Sequence, residues 1–292
     1  SDGWVDDARL VVLNAIAAQE QGAEIHTRTE CIQAEKDENT WLVTLKSHEG
    51  KTFTVRAKSI VNAAGPWAVS FLDRLVNMDN PNAMRMVKGS HFIVPKLYDS
   101  QEAYILQNKD GRIVFVIPYE GDFSLVGTTD EDFVGNPSDA SISEAETDYL
   151  IDVVNTYFKS KVSRDDIVHS YSGVRPLPSS NAQSNGQISR SHSIHVQEAS
   201  DSSDFPIYSM IGGKWTTFRA FAEQMCERLS TDIGFEIKSN SRHQAIGGGK
   251  NYPNTPEAKQ QWIKDYCASF TVCEARAAQL LDRYGTNAYE LG

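Results

Sequence analysis

The chain has few cysteines, and none is spaced for a paired site. Its 292 residues contain four, at Cys31, Cys226, Cys267 and Cys273, with no CxxC pair among them. The histidines include no HExxH pair, and the GxxxxGK spacing of a P-loop is absent. The absence of a CxxC pair argues against a zinc site, and four cysteines in a chain of this length are too few for a disulfide scaffold. We therefore expect reduced thiols with structural roles, and no metal site.

The sequence also lacks an excess of positive charge and any long apolar run. Lys and Arg number 28 against 39 Asp and Glu, so the formal net charge is −11. Because polyphosphate binding depends on clustered Lys and Arg, this balance argues against a nonspecific nucleic-acid binder. No uncharged apolar run approaches the roughly 18–20 residues of a membrane-spanning helix. Hydrophobic residues make up 40% of the chain, enough for a sizeable core.

Helix signals begin at Asp6 and Asp7, and the last helical pattern stops at Leu291-Gly292. We therefore expect an excised piece of a longer protein. Residues 6–21 carry a helical period, and Ala23–His26 is predicted as a short strand. Three alternating runs and an apolar strand follow, and a helix begins at Pro66. The runs are Glu30–Ala34, Thr40–Lys46 and Thr52–Ala57, and the apolar strand is Ser59–Ala63.

Residues 81–173 are predicted to form an antiparallel sheet with one helix, about Ser143–Phe158, on one face. The strands are predicted at Met84–Lys88, His91–Val94, Tyr104–Gln107, Ile113–Tyr119, Ser124–Thr129 and Val168–Gly173. A polar stretch, Pro178–Ser193, is typical of an exposed loop or weak hairpin. The later predicted elements are a strand at Pro206–Ile211 and helices at Thr216–Leu229, Pro256–Cys267 and Thr271–Tyr284.

Two strand-to-helix turns carry the strongest local signals for ligand binding. In Gly212–Thr217, an apolar strand runs into two glycines, a lysine and two threonines, at the start of a helix. Free N–H groups and partial positive charge at a helix start suit a flat or anionic ligand. Asn62–Trp67 repeats the arrangement with small residues after a strand. Either segment could equally be an ordinary tight turn.

Isolated cations form a second group of candidates. Arg175 stands among prolines, and Arg190 lies in an uncharged stretch; both could bind phosphate or carboxylate, or form surface ion pairs. If Lys88, Arg175, Arg190 and Lys214 converge, they would make a local anion pocket. His91 follows a predicted Gly89-Ser90 bend and could act as a general acid or base, or be an ordinary polar residue.

Seven segments in one order carry a family resemblance. The chain closely resembles the FAD-dependent, aerobic (respiratory) glycerol-3-phosphate dehydrogenases of bacteria, from about Gly3 to Leu229. The family's N-terminal GxGxxG, which grips the FAD pyrophosphate, does not occur here. The segments are Asn62–Trp67, Lys88–His91, Tyr104–Gln107, Val116–Tyr119, Val126–Asp130, Tyr171–Leu177 and Gly212–Thr217.

The resemblance implies an α+β and α/β fold in four segments. Residues 1–80 and 174–235 would belong to a partial, Rossmann-like FAD-binding domain. Residues 81–173 would be an inserted antiparallel-sheet substrate cap. Residues 236–292 would be a linker and the start of a helical C-terminal domain.

The resemblance also implies roles for individual residues. Arg175 and Arg190 would clamp a substrate phosphate, with His91 facing the substrate hydroxyl and Lys214 near both cofactor and substrate. Thr129 would border the substrate, and the catalytic set would be His91, Lys214 and Arg175. The residues implied to line the flavin are Ala63, Ala64, Gly65, Trp67, Gly212, Gly213, Lys214, Trp215 and Thr216.

The implied reaction is oxidation of sn-glycerol 3-phosphate to dihydroxyacetone phosphate, with hydride transfer to FAD and electrons passed to a quinone. The implied setting is a cytoplasmic protein, peripherally associated with the inner face of the cell membrane and able to form a homodimer. Two alternatives remain: a related flavin oxidase of the glycerol-3-phosphate or amine type, and a non-catalytic module that binds a phosphorylated ligand.

Overall fold

A computed structural model describes residues 5–75, 84–178, 192–197, 206–237 and 241–292. The chain divides into two compact units, Ser1–Thr29 with Trp215–Gly292, and Glu30–Lys214. The four domain segments predicted above remain a prediction. The helices are α1 (Asp7–Glu20), α2 (Ala68–Leu75), α3 (Glu144–Tyr157), α4 (Phe218–Ile233), α5 (Pro256–Phe270) and α6 (Glu274–Tyr284). The strands are β1 (Thr29–Asp37), β2 (Thr40–Ser47), β3 (Thr52–Ala57), β4 (Ile60–Asn62), β5 (Met84–Pro95), β6 (Tyr104–Gln107), β7 (Ile113–Tyr119), β8 (Phe123–Gly127), β9 (Glu131–Asp132), β10 (His169–Pro178), β11 (Ser193–Gln197) and β12 (Ile207–Ile211).

Strands β1, β2 and β3 form the predicted antiparallel meander. Their alternating pattern places Trp41 and Val43 on one face, where they are buried with Leu72 of α2 and Ile207 of β12. The meander therefore packs against α2, the helix that follows the Asn62–Trp67 turn, and against β12.

A larger antiparallel sheet has the order β10-β5-β8-β7-β6, with β9 paired to β5. Helix α3 covers one face through Leu150, Val153 and Val154, which pack on Phe92 and Val94 of β5. Ser143 caps α3 in a capping box with Glu146, as a Ser-x-x-Glu sequence favours. The predicted arrangement of a sheet with one covering helix is confirmed.

Three strand predictions are corrected. The two strands predicted at Met84–Lys88 and His91–Val94 are one strand, β5, and Gly89-Ser90 is no bend because it pairs with β10 throughout. Strand β10 continues past Gly173 to Pro178; its prolines are tolerated because β10 lies at the sheet edge. Ala23–His26 forms no strand.

The third sheet has the order β11-β12-β4, with β4 and β12 parallel and β11 antiparallel to β12. Strand β11 was not predicted, because it follows a polar stretch in which apolar and polar residues do not alternate. Of the predicted loop Pro178–Ser193, residues 179–191 lie outside the described part of the chain.

Helices α5 and α6 are the predicted C-terminal pair, and they enclose a small core of Tyr266, Ala277 and Leu280. The Tyr266 hydroxyl donates to the carbonyl of Ala288 at 3.0 Å. Within the described ranges, no helix combines the length and the apolar composition that a bilayer crossing requires.

Candidate functional site

The two faces of the large sheet differ in chemistry. Side chains alternate between the faces along each strand. In β5, Ser90, Phe92 and Val94 point toward α3, and Gly89 and His91 point the other way. Tyr171, Gly173 and Gly127 share that second face, because Tyr171 and Gly127 pair with His91 and Gly173 pairs with Gly89. We call this second face the site face.

His91 lies flat on the site face. Its ring stacks on Tyr171 with a centroid separation of 5.0 Å and an interplanar angle of 8°. On the other side of β5, the ring covers Gly127 of β8, where an added Cβ atom would lie 2.1 Å from Cδ2 of His91. A half-buried imidazole held between a ring and a bare backbone is fixed in orientation, as an acid–base residue requires.

Arg175 reaches across the same face to the strand of His91. Its guanidinium contacts Gly89, where an added Cβ would lie 2.6 Å from Nη2. Nη2 donates to the Thr128 hydroxyl at 3.1 Å, and Nη1 lies 4.0 Å from Oδ1 of Asp130. The structure therefore brings Arg175 of β10 and His91 of β5 to one face, with the guanidinium over Gly89, two residues before His91. A half-buried guanidinium there is suited to a phosphate or carboxylate.

A buried carboxylate lies beneath this cluster, on the side facing α3. Glu146 is 1% exposed and forms an ion pair with Lys88 at 2.8 Å. Its Oε1 accepts from the hydroxyls of Ser90 and Thr129, at 2.8 and 2.6 Å. Its Oε2 accepts from the backbone N–H of Ser143 at 2.7 Å. Burial by itself would raise the pKa of this carboxyl, but these partners together lower it to about 2.

This network changes two of the sequence interpretations. Lys88 does not join an anion pocket, because its ammonium group neutralises Glu146 and donates to the Ser141 carbonyl at 3.1 Å. Thr129 is fully buried, so its hydroxyl holds Glu146 rather than facing the site face. Glu146 was not among the candidates read from the sequence; its Ser-x-x-Glu capping box is a local signal for a helix start, but nothing local indicates its pairing with Lys88.

The predicted cofactor residues after β4 line a pocket of about 640 Å³. Ala63, Ala64 and Trp67 contribute to it, and Gly65 lies between them with φ +55° at the start of a 3-10 turn. The rest of the lining, which no sequence pattern indicated, includes Glu30, Cys31, Val43, Ser59 and Phe71. Burial raises the pKa of the Cys31 thiol, so it stays protonated at neutral pH.

Asn62 closes the base of this turn. Its side-chain amide donates to the carbonyl of Ala68 at 2.9 Å and to the hydroxyl of Ser209 at 3.2 Å. Its Oδ1 accepts from the backbone N–H of Ala64 at 3.3 Å. Because Ser209 lies opposite Asn62 in the parallel pair of β12 and β4, one side chain links the strands that lead into both predicted cofactor segments.

The second predicted segment spans the division between the two units. Gly212 and Gly213 follow β12 with φ +73° and +99°, a left-handed backbone that favours glycine, and the exposed Lys214 comes next. Trp215 and Thr216 belong to the other unit, where the exposed Trp215 ring lies 5.8 Å from that of Phe218. Arg190 lies outside the described residues. In the described ranges, no group of three His, Cys, Asp or Glu side chains is arranged to hold a metal ion.

Comparisons with known proteins agree with this architecture. The family model of the FAD dependent oxidoreductases matches residues 1–219. A glycerol-3-phosphate dehydrogenase of Pseudomonas tolaasii is 45% identical over 257 residues, which cover 88% of this chain and 50% of the relative. A D-erythritol 1-phosphate dehydrogenase of Brucella abortus is 45% identical over 78% of this chain and 45% of the relative.

A solved structure extends the similarity to the fold. The glycerol-3-phosphate dehydrogenase from Bacillus halodurans, complexed with FAD, superposes with a TM-score of 0.82 at 24% identity. The match covers 98% of this chain and 55% of that one. The chain thus spans about half the length of the relatives it matches. With three quarters of its residues matched by the family model, the chain belongs to the FAD-dependent oxidoreductase family.

Proposed function

We propose that this chain is part of a flavoprotein dehydrogenase that oxidises sn-glycerol 3-phosphate to dihydroxyacetone phosphate. The observation that carries the proposal is the site face, where a guanidinium and an imidazole lie together on adjacent strands. Two relatives at 45% identity are named as dehydrogenases of phosphorylated polyols, which supports this substrate class.

The residues proposed to hold FAD include a pocket lining that suits a large flat ligand. Ala63 and Ala64 present small side chains to a pocket of about 640 Å³, and Trp67 adds an exposed ring. Gly212, Gly213 and Lys214 would supply close backbone approach and positive charge. When bound, FAD supplies the acceptor for the two electrons and the hydrogen that leave C2 of the substrate.

The chain's own residues would bind and orient the substrate. The Arg175 guanidinium would pair with the phosphate, and Arg190 is proposed as a second contact. His91 would accept the proton of the C2 hydroxyl as C2 becomes a carbonyl carbon. Lys214 would add positive charge where negative charge develops.

The electron acceptor, the location and the assembly are proposals that rest on the family resemblance. We propose a quinone as acceptor, a cytoplasmic protein bound peripherally to the inner face of the cell membrane, and a homodimer. Oxygen consumption in place of quinone reduction would favour the glycerol-3-phosphate oxidase alternative. An uncharged amine substrate would leave Arg175 and Arg190 without a role, which argues against the amine oxidase alternative.

The first experiment is a visible absorption spectrum of the purified chain with added FAD, recorded anaerobically before and after sn-glycerol 3-phosphate. Flavin bands that are bleached by this substrate, but not by glycerol, are the expected result. D-erythritol 1-phosphate in a parallel cuvette distinguishes the two phosphorylated polyols.

Two results would contradict parts of the proposal. Bound FAD that dithionite bleaches and sn-glycerol 3-phosphate does not would refute the substrate assignment. A chain that takes up no FAD would refute its role in holding the cofactor, and calorimetry with sn-glycerol 3-phosphate would then test the non-catalytic alternative.

Arg175→Ala should weaken phosphate-ester binding. Arg164→Ala, which replaces an exposed arginine paired with Asp148, is the matched control.

A further inference from the structure

Three hydroxyl-bearing residues converge beneath the site face, one from each strand or turn that carries a candidate residue. Ser90 precedes His91 in β5, Thr129 lies between Thr128 and Asp130, and Ser172 precedes Gly173 in β10. Side chains alternate between the two faces of a strand. Holding Ser90 and Ser172 on the α3 side therefore fixes the orientation of His91 and Gly173 on the site face. These three hydroxyls therefore lie directly behind the candidate site.

All three hydroxyls connect to one carboxylate. Ser90 and Thr129 donate directly to Oε1 of Glu146, and Ser172 reaches it through Ser90, with 2.8 Å between the two serine oxygens. The Thr129 hydroxyl also accepts from the Ser90 backbone N–H at 2.8 Å. A single side chain on α3 thus links β5, β10 and the 128–130 turn.

Stability by itself is a poor explanation for this arrangement. Glu146 and Lys88 are 1% and 9% exposed, and burying two charges costs free energy that their attraction only partly offsets. Apolar residues of similar size would continue the core of Phe92 and Leu150 that begins next to them. Filling the space between α3 and the sheet is therefore not a sufficient explanation for the charged pair.

We propose that Glu146 is a positioning residue, which sets the site face by holding its three supporting segments in register. Through Thr129 it holds the turn whose Thr128 and Asp130 contact the Arg175 guanidinium. Through Ser90 it holds the strand on which His91 and Gly89 lie. The expected effect of Glu146 on phosphate-ester affinity rests on the proposed function. Its expected effect on the local stability of β5, β10 and the 128–130 turn does not.

The first test compares Glu146→Gln with Glu144→Gln. Glu144 lies in the same helical turn, but its side chain is 89% exposed and only approaches Arg164 at 3.8 Å. The readouts are calorimetric affinity for sn-glycerol 3-phosphate and inorganic phosphate, and amide hydrogen exchange across the large sheet. We expect Glu146→Gln to weaken binding by about tenfold, the effect of a lost charge-assisted contact, and Glu144→Gln to leave it unchanged.

Hydrogen exchange separates positioning from general stabilisation. Positioning predicts faster exchange in residues 127–130 and 171–175, and unchanged exchange in 104–107 and 113–119 of the same sheet. A uniform rise across the sheet with unchanged ligand affinity would overturn the proposal. If the wild-type chain binds neither ligand, the proposed anion site is refuted, and the exchange pattern alone decides whether Glu146 positions these segments.

A milder pair of variants covers the case in which Glu146→Gln fails to fold. Ser172→Ala removes only the link from β10, and Ser172→Thr restores a hydroxyl with a side chain suited to a strand. We expect Ser172→Ala to weaken ligand affinity by about threefold and to speed exchange in 171–175. Ser172→Thr should return both toward wild type. Equal behaviour of the two variants would overturn the proposal.

Discussion

The candidate site depends on residues that have no side chain. His91 covers Gly127, and the Arg175 guanidinium covers Gly89, so each functional side chain lies flat against a backbone. A third glycine on the same face, Gly173, has no atom within 4 Å of an added Cβ. Glycine is thus required by close approach at two of these positions and not at the third.

This difference gives a prediction with an internal control. Gly127→Ala should displace His91, because the new methyl group would lie 2.1 Å from its Cδ2 atom. Gly89→Ala should displace Arg175 and Thr128, because the new methyl group would lie 2.6 Å from Nη2 and 2.5 Å from Oγ1. Such overpacking costs about 1–3 kcal/mol of unfolding free energy. Gly173→Ala should be tolerated within about 0.5 kcal/mol. Chemical denaturation checks this, and equal effects of all three variants would contradict it.

His91 is expected to act as the general base of the proposed reaction. In the flavin-loaded enzyme, His91→Ala should lower turnover by roughly 10²–10⁴-fold, the usual effect of losing a general base. Steady-state kinetics with sn-glycerol 3-phosphate measures it, with His48→Ala in the β2–β3 turn as control. Unchanged turnover would remove His91 from the role of base.

At the scale of elements, the polar link between β4 and β12 is the feature that joins the two predicted cofactor segments. Asn62 is 3% exposed and makes hydrogen bonds with Ala64, Ala68 and Ser209. The Ser209 hydroxyl in turn donates to Gln197 of β11 at 3.3 Å. A short three-stranded sheet is thereby held by side chains as well as by its backbone ladder.

The corresponding prediction is a double-mutant cycle. Asn62→Ala should lower the free energy of unfolding by about 1–3 kcal/mol, since it leaves buried polar partners unsatisfied. Combined with Ser209→Ala, the loss should be less than additive by about 0.5–1.5 kcal/mol. Asn39→Ala, in the exposed β1–β2 turn, is the control. Strict additivity would show that the two side chains do not interact.

Elements were predictable where a local pattern decides them. The alternation of β1–β3 and the helix at about Ser143–Phe158 were both predicted from the sequence, and both are confirmed. The strand β5 was divided wrongly at Gly89-Ser90, because a glycine and a serine ordinarily favour a turn. Pairing with β10 through Gly89 and Ser90, and with β8 from His91 onward, overrides that preference, and no local signal reports such pairing.

At the scale of the whole molecule, the buried ion pair ties folding to pH. The pKa of Glu146 is lowered to about 2 in the folded protein, against an ordinary value of 4.5. A carboxyl with a lowered folded pKa contributes stability above its unfolded pKa, and that stability is lost as pH falls toward the folded pKa. Glu146 therefore stabilises the protein above about pH 5 and loses this effect between pH 5 and 2.

We expect Glu146→Gln to be less stable than wild type by about 3 kcal/mol at pH 7, and the difference to shrink as pH falls from 5 to 2. Urea unfolding followed by circular dichroism over this pH range measures both variants. Glu144→Gln should follow wild type throughout. A difference that stays constant with pH would show that the loss arises from packing rather than from the charge.

The family, the mixed fold and the residue types of the candidate site could all be predicted from the sequence. These depend on short segments whose order and local pattern can be read without knowing what lies beside them. The positions of Arg175, His91, Ala63 and Trp67 as candidates follow from such segments, although their roles remain predictions.

The face of the sheet that each side chain occupies depends on strand pairing and packing, which local sequence patterns do not show. A strand alternates with a period of two, so a predicted bend in the wrong place reverses the face of every later residue. Lys88 and Thr129, which the sequence grouped with the candidate site, lie behind it because their side chains contact Glu146 on the side facing α3. The partner of a buried charge is chosen by long-range packing, and Glu146 lies 58 positions along the chain from Lys88, beyond the reach of any local pattern.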